Sequence, residues 1–298
     1  MERKMEYRFY AVPVNGVIRY VLLLALLLAG MPQSHAEQDT SVDRLLIDSG
    51  IDAQMPVFEK MVNAALEQNP GLDQEEREVL QHIAMESLRP EVIYEHVRIG
   101  VERVLQPGDR ETLLLWFSSP LGQRITQLEL QGLEDGVLSA LKAAAPALLA
   151  DKERMQAASR LDGLMQATVL GLKLQEKAMQ ANHIAVEIAA HPNAAVDTAA
   201  LEAQLEEHRE PLLQLMQQQT LLSLAFTYRD LPLEKLASYE SFLSTSAAQR
   251  YQQGIQTGLL AGVDGVLRDW ESGVRDYYQT EKATPYGVGY SRRSVPAR

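Results

Sequence analysis

One stretch of helix-forming sequence occurs twice in this chain, 126 positions apart. Arg103–Leu141 falls on Arg229–Leu267 without a gap, and eleven of the 39 aligned pairs are identical, among them Ser118/Ser244, Gln123/Gln249, Gly132/Gly258 and Gly136/Gly262. Unrelated stretches of ordinary composition match at roughly one position in fifteen. The chain therefore carries an internal duplication. The first copy centres on Trp116-Phe117-Ser118-Ser119-Pro120-Leu121-Gly122-Gln123, the second on Phe242-Leu243-Ser244-Thr245-Ser246-Ala247-Ala248-Gln249. A capping hydroxyl followed by proline at the first helical position marks a corner between a short helix and a long one. Residues 109–141 and 235–267 are expected to superpose, with Trp116 matching Phe242 and both buried.

The rest of the chain follows the same helical idiom. Leu, Ala, Gln and Glu dominate, and no sustained two-residue alternation argues for strands. Asp73-x-x-Glu76 reads as a capping box, Pro90 and Pro232 as helix starts, Asn69-Pro70-Gly71 and Pro107-Gly108 as turns. Pro146 is expected to separate the halves, Gly163 and Gly171 to weaken a helix over 151–190, and Pro211 to kink or divide the helix capped by Asp197. The expectation is an all-α protein of two tandem helical repeats, each of several helices: 37–146 and 147–279.

Two ends differ from this body. Arg3, Lys4, Arg8 and Arg19 precede the apolar run Val21–Ala29, and Ser34-His35-Ala36 follows. A basic leader, a run too short to span a bilayer and small residues at the cleavage positions read as a signal peptide over 1–36. With no cysteine, neither a lipidated N-terminus nor a disulfide is available, so an exported, periplasmic chain must be held by packing. From Glu37 onward it carries 24 basic and 38 acidic residues, a net charge of −14, which excludes the basic face that nucleic acid needs. No later apolar run is long enough for membrane insertion. The last stretch, 280–298, holds Tyr286, Tyr290 and four basic residues against one acid. It is expected to be disordered alone, with a contact role for its tyrosines and arginines as an alternative.

The aromatic pair followed by Ser-Pro-x-Gly-Gln resembles the signature of a bacterial exported family, the domain of unknown function numbered twenty fifty-nine. Trp116 and Phe117 match the aromatic positions, Ser119 and Pro120 the Ser-Pro, Gly122 and Gln123 the Gly-Gln. The resemblance covers Ser41 to about Leu141. The second half looks like a diverged copy, with Phe242, Ser246 and Gln249 at corresponding places and Ala248 where Gly122 stands. The resemblance implies an all-helical envelope protein and brings no catalytic residue.

Chemistry-bearing motifs are sparse. Gly254, Gly258 and Gly262 share one helix stripe, and Gly132 and Gly136 occupy matching places in the first copy. Helix-interior glycines cost about 1 kcal/mol each relative to alanine. Their recurrence therefore points to close approach of another backbone, within the chain or across a homodimer. His183, Glu187 and His191 stack at i, i+4 and i+8, but the outer pair lies about 12 Å apart along the axis, so a solvated stripe is the better reading than a metal site. Glu78 and His82 are read the same way. No Glu-x-x-His, His-Glu-x-x-His, Gly-x-Ser-x-Gly or phosphate-binding glycine loop occurs. No cofactor or catalytic residue is assigned. The function expected is binding or structural, toward an envelope protein. The alternatives are a carrier holding an apolar ligand between the repeats, and a hydrolase with an unrecognised site.

Overall fold

A computed structural model of the chain describes residues 42–69, 72–132 and 136–280; the leader and the tail lie outside them. The described residues form twelve α-helices and one 3-10 turn, with no strand among them. In chain order these are α1 (Val42–Asp48), the 3-10 turn Asp52–Gln54, α2 (Val57–Glu67), α3 (Gln74–Ser87), α4 (Pro90–Val104), α5 (Asp109–Ser118), α6 (Pro120–Gln131), α7 (Val137–Ala150), α8 (Lys152–Met165), α9 (Ala167–Ala190), α10 (Ala199–Thr227), α11 (Leu233–Leu243) and α12 (Ser246–Thr280).

The longest helix, α12, organises the packing. Tyr251, Ile255, Leu259, Val263, Val266, Trp270 and Val274 recur at three- and four-residue steps and are all buried, which gives the helix a continuous apolar stripe. It runs along α4 and also packs on α9 and α3. Its contact with α4 is made by backbone. A Cβ on Gly258 would lie 2.4 Å from the His96 carbonyl oxygen and 2.5 Å from Val97 Cα. At Gly254 it would lie 2.6 Å from Val101 Cα, at Gly262 2.8 Å from Ile93 Cα, and at Gly100, from the other side, 2.4 Å from the Gly254 carbonyl oxygen. Dispersion gained over such close surfaces offsets the poor helix propensity of glycine. Beyond this pair, α10 lies against α7, α8 and α9, α11 against α8, and α2 against α9 and α3. One buried apolar core runs through residues on both sides of position 146. Buried polar groups tie it further: Trp270 Nε1 donates to the Ala181 carbonyl at 2.9 Å, and the Tyr251 hydroxyl donates to the Leu45 carbonyl at 3.1 Å.

Several helix ends follow local chemistry. Asp73 and Glu76 form a reciprocal capping box at α3, Asp151 accepts from the Arg154 N–H at α8, and Gly108 enters α5 at φ +88. Other boundaries fall elsewhere than proline and glycine placement indicates. Pro146 does not separate helices; it sits inside α7. Pro211 likewise sits inside α10. Both prolines are exposed, so water can take up the carbonyl each leaves without a donor. The 151–190 region does divide, but at Gln166 and not at either glycine. Gln166 is the only non-glycine residue at positive φ among the described residues.

The two copies differ in their second helix. The corner recurs: α5 turns into α6 through Ser119, and α11 into α12 through Ser244-Thr245. The expected superposition over residues 109–141 and 235–267 does not extend past Gln131. There the first copy breaks and restarts at Val137, whereas α12 continues unbroken. Gly136 stands before Val137 at φ +89 with nothing within 4 Å of a would-be Cβ. It is the left-handed residue that opens α7, and no other backbone among the described residues approaches it. Gly132 closes α6, its N–H shared between the Leu128 and Glu129 carbonyls.

Candidate functional site

The two corners meet face to face. Trp116 on α5 stacks on Phe242 on α11, with ring centroids 4.2 Å apart and planes 4° apart, and Tyr239, 6.5 Å from Phe242, stacks on Trp116 at 5.9 Å. Phe117 meets Phe242 edge-on. Trp116 and Phe242 are aligned positions of the two matching sequence stretches, so the stack joins like to like. They are not equally buried: Phe242 is 7% exposed, while Trp116 is only partly covered. At the first corner Ser119 Oγ accepts from the Gly122 N–H at 3.0 Å, and Pro120 opens α6. A Cβ on Gly122 would lie 2.1 Å from the Trp116 carbonyl oxygen, so this corner admits only glycine. Gln123 is exposed. At the second corner the cap is Thr245, which accepts from the Ala248 N–H at 3.3 Å. Ser246, which sequence matching singles out, sits one step on as the first helical residue, and its hydroxyl is exposed. Asp109 on α5 binds Arg250 on α12 through two bonds of 2.7 Å. The guanidinium holds the Asp109 carboxyl below the usual carboxylate range.

Behind this stack lies a group that the motif search passes over. Glu129 on α6 is 1% exposed. Its Oε1 accepts from the Tyr228 hydroxyl at 2.5 Å and the Tyr239 hydroxyl at 3.1 Å. Its Oε2 has no hydrogen-bond partner. Burial drives the Glu129 carboxyl well above the usual range, although the two hydroxyls oppose this. Burial and the neighbouring carboxyl likewise push both tyrosines well above their ordinary value. The cause is desolvation: an ionised carboxylate is disfavoured where water cannot reach it. The signal was present in sequence as a Glu on the same helix face as Ile125 and Leu128.

On the other side of Met165 the surface opens into a cleft of about 520 Å3. Met165 joins the two features: its sulfur lies 3.8 Å from the Tyr239 hydroxyl, and its carbonyl accepts from Gln252 and Gln256, two residues of the cleft lining. Gln166, Gln249, Gln252, Gln253 and Gln256 line the cleft with Ser244, Ser246, Arg250 and Leu164. Four of these glutamines lie at i, i+3, i+4 and i+7 of α12, a spacing that puts them on one face. Three clamp the turn between α8 and α9. Gln252 and Gln256 donate to the Met165 carbonyl at 3.2 and 2.9 Å, and Gln249 donates to the Leu164 carbonyl at 3.4 Å as well as to the Leu243 carbonyl at the end of α11 at 2.6 Å. Below the turn, buried Asp162 accepts from the Thr168 N–H and hydroxyl, each at 2.8 Å. The clamp holds Gln166 in its left-handed conformation, which costs a non-glycine residue on the order of 1–2 kcal/mol.

Of the residues that sequence reading singled out, Trp116, Phe117, Ser119, Pro120, Gly122 and Phe242 gather at the corners. Gly254, Gly258 and Gly262 lie against α4, and Ser246 and Gln249 border the cleft. His183 Nε2 lies 2.7 Å from the Asp197 carbonyl oxygen. Among the described residues no three His, Cys, Asp or Glu side chains are placed to hold a metal ion, and no helix is long and apolar enough to cross a membrane. Comparison with protein-family models, curated proteins and solved structures found no match.

Proposed function

We propose that this all-α chain is an exported protein of the cell envelope that acts by binding or by structure and not by catalysis. On this reading it is built from two diverged copies of the corner unit and belongs to the exported family that its Ser-Pro corner resembles. The leader sequence supports export, and like-to-like stacking of Trp116 on Phe242 supports the duplication. The observation that carries the non-catalytic reading is the cleft lining: no histidine or free carboxylate faces a serine there, and Arg250 is engaged by Asp109. Acid–base or nucleophilic chemistry needs a nucleophile within reach of a base. Glu129 has a perturbed carboxyl, but it lies in the core, where a substrate has no access. A polar lining also speaks against an acyl chain in this cleft.

The test is capture. The chain purified from envelope and used as bait on envelope extract should retain a defined protein or small molecule by mass spectrometry, and its N-terminus should begin near Glu37. Turnover of an extract component in place of stoichiometric retention would overturn the reading.

A further inference from the structure

The cleft has an unusual balance of donors and acceptors. Gln249 donates both amide hydrogens to main-chain carbonyls, and Gln252 and Gln256 donate one each. A carbonyl accepts only from a donor, so the amide orientation is fixed and each Oε1 is left to accept. Gln252 is 7% exposed, so its acceptor is rigidly held. The Ser244 hydroxyl donates to the Glu240 carbonyl at 2.8 Å and also retains lone pairs. Donors enter from Arg250, whose Nε and Nη2 hold Asp109 while Nη1 is in none of those bonds, and from the exposed Gln253 and Ser246. The lining contains no carboxylate, and its single cation is neutralised by Asp109. Only Leu164 contributes an apolar side chain.

We propose that this glutamine-lined cleft binds a neutral, polyhydroxylated ligand of the size of a short oligosaccharide. The proposal rests on the reading of the chain as a binding protein and names what it binds. Each sugar hydroxyl donates and accepts at once, which matches fixed amide oxygens interleaved with guanidinium and hydroxyl donors. An anion finds no uncompensated positive charge, and a cation finds no carboxylate. A peptide strand also alternates donors and acceptors, but its side chains call for apolar subsites that one leucine does not supply. The volume lies within the roughly 300–1,000 Å3 of small-molecule sites. The clamped Met165–Gln166 turn keeps the acceptors preorganised, so little ordering is lost on binding.

The experiment is a titration of the 15N-labelled full chain, followed by NMR. The probes are maltotriose and N-acetylated chitotriose, which separate plain hexose from acetamido-sugar recognition, with an end-blocked trialanine peptide and spermidine in parallel. Saturable shifts confined to the α12 face and the α8–α9 turn with either saccharide support the proposal. Gln256→Leu, which removes one donor and its acceptor, should weaken binding about tenfold, the equivalent of one hydrogen bond. Because that change also loosens the clamp, a second variant controls for folding. Gln253→Trp, at an exposed position, leaves every hydrogen bond of the clamp in place, fills the cleft and should abolish the shifts. Gln217→Leu on α10 should change nothing. The proposal is overturned if neither saccharide gives saturable shifts, if the shifts survive Gln253→Trp, or if trialanine or spermidine binds there in preference. A partner captured from extract by a chain that ignores all four probes would leave the binding reading standing and this assignment refuted.

Discussion

The two matching sequence stretches take opposite structural parts. In the first, residues 109–131 form a corner whose second helix stops early, and Gly136 restarts the chain at positive φ. In the second, the matching glycine, Gly262, is helical and lies on the backbone of α4. The same pair of glycines, Gly132/Gly136 and Gly258/Gly262, thus ends a helix in one place and permits the closest helix contact in the other. Which part a glycine plays is decided by what lies across from it. Gly258 meets the backbone of α4 at His96–Val97 beside Gly100, and Gly262 meets it at Ile93, while a Cβ on Gly136 would meet nothing. Glu129 and Ile255, another matched pair, are both buried, one as a hydrogen-bonded carboxyl and one as plain core.

The aromatic stack gives the largest test of this asymmetry. Phe242→Ala should cost about 3–5 kcal/mol, as for a buried aromatic, in urea unfolding of the full chain. Trp116→Ala should cost roughly half as much because the residue is only partly buried. The double variant should reveal about 0.5–1.5 kcal/mol of coupling from ring–ring contact. Equal single costs would mean that the corners are symmetric after all.

The glycines come next. Gly258→Ala forces a methyl into the His96–Val97 backbone, which has no side-chain end to swing away. It should lose about 3 kcal/mol, at the upper end of overpacking costs, despite gaining up to about 1 kcal/mol in helix propensity. Gly136→Ala should lose only about 1–2 kcal/mol, from the left-handed backbone alone. A neutral Gly258→Ala, read by thermal unfolding, would remove the backbone contact between α4 and α12.

Glu129 sharpens the comparison through pH. Its carboxyl is raised by desolvation in the folded chain, whereas in the unfolded chain it ionises near about 4.3. Above that value the unfolded state has lost a proton that the folded state keeps, so the wild-type chain loses stability as pH rises, until the folded group itself ionises. Glu129→Gln keeps an acceptor for Tyr228 and Tyr239. Near pH 4 it should unfold within about 1 kcal/mol of wild type, and it should become progressively the more stable of the two toward pH 8. Parallel pH profiles would mean that the carboxyl is ionised in the fold or reached by water.

How far the sequence carried depends on the range over which each feature is decided. The all-α class, the capping box at Asp73 and the Ser119-Pro120 corner are set by residues within one turn of each other, and they are legible. The glycine stripe of α12 is legible as a stripe, but its partner is α4, more than a hundred positions away. The missed break after Gln131 reflects a local ambiguity. Glycine serves both as a close-packing residue and as a left-handed hinge, and only the neighbour decides. Pro146 misleads for a related reason: an exposed helix face can leave one carbonyl to water. The Glu129–Tyr228–Tyr239 group is assembled from two helices and the turn after α10, so sequence offers only the weak hint of a carboxyl on an apolar face. The glutamines at 249, 252, 253 and 256 were readable as one polar face, but the turn they clamp was not.

The smallest expected effects are at the caps. Ser119 accepts from the Gly122 N–H at 3.0 Å, and Thr245 from the Ala248 N–H at 3.3 Å. Ser119→Ala should therefore cost about 1 kcal/mol and Thr245→Ala about half that. The first corner also has proline where the second has Ser246. At a first helical position the missing N–H is no loss, since that donor is an orphan in any helix, and the fixed φ narrows the unfolded ensemble. Transplanting the feature as Ser246→Pro should stabilise the chain by about 0.5 kcal/mol, provided that Thr245 has the extended conformation that a following proline demands and that Ser119 shows at φ −71, ψ 152. Thermal unfolding of the three variants decides it. If Ser246→Pro destabilises by more than about 1 kcal/mol, the two corners differ in backbone as well as in side chains, and their likeness ends at the sequence.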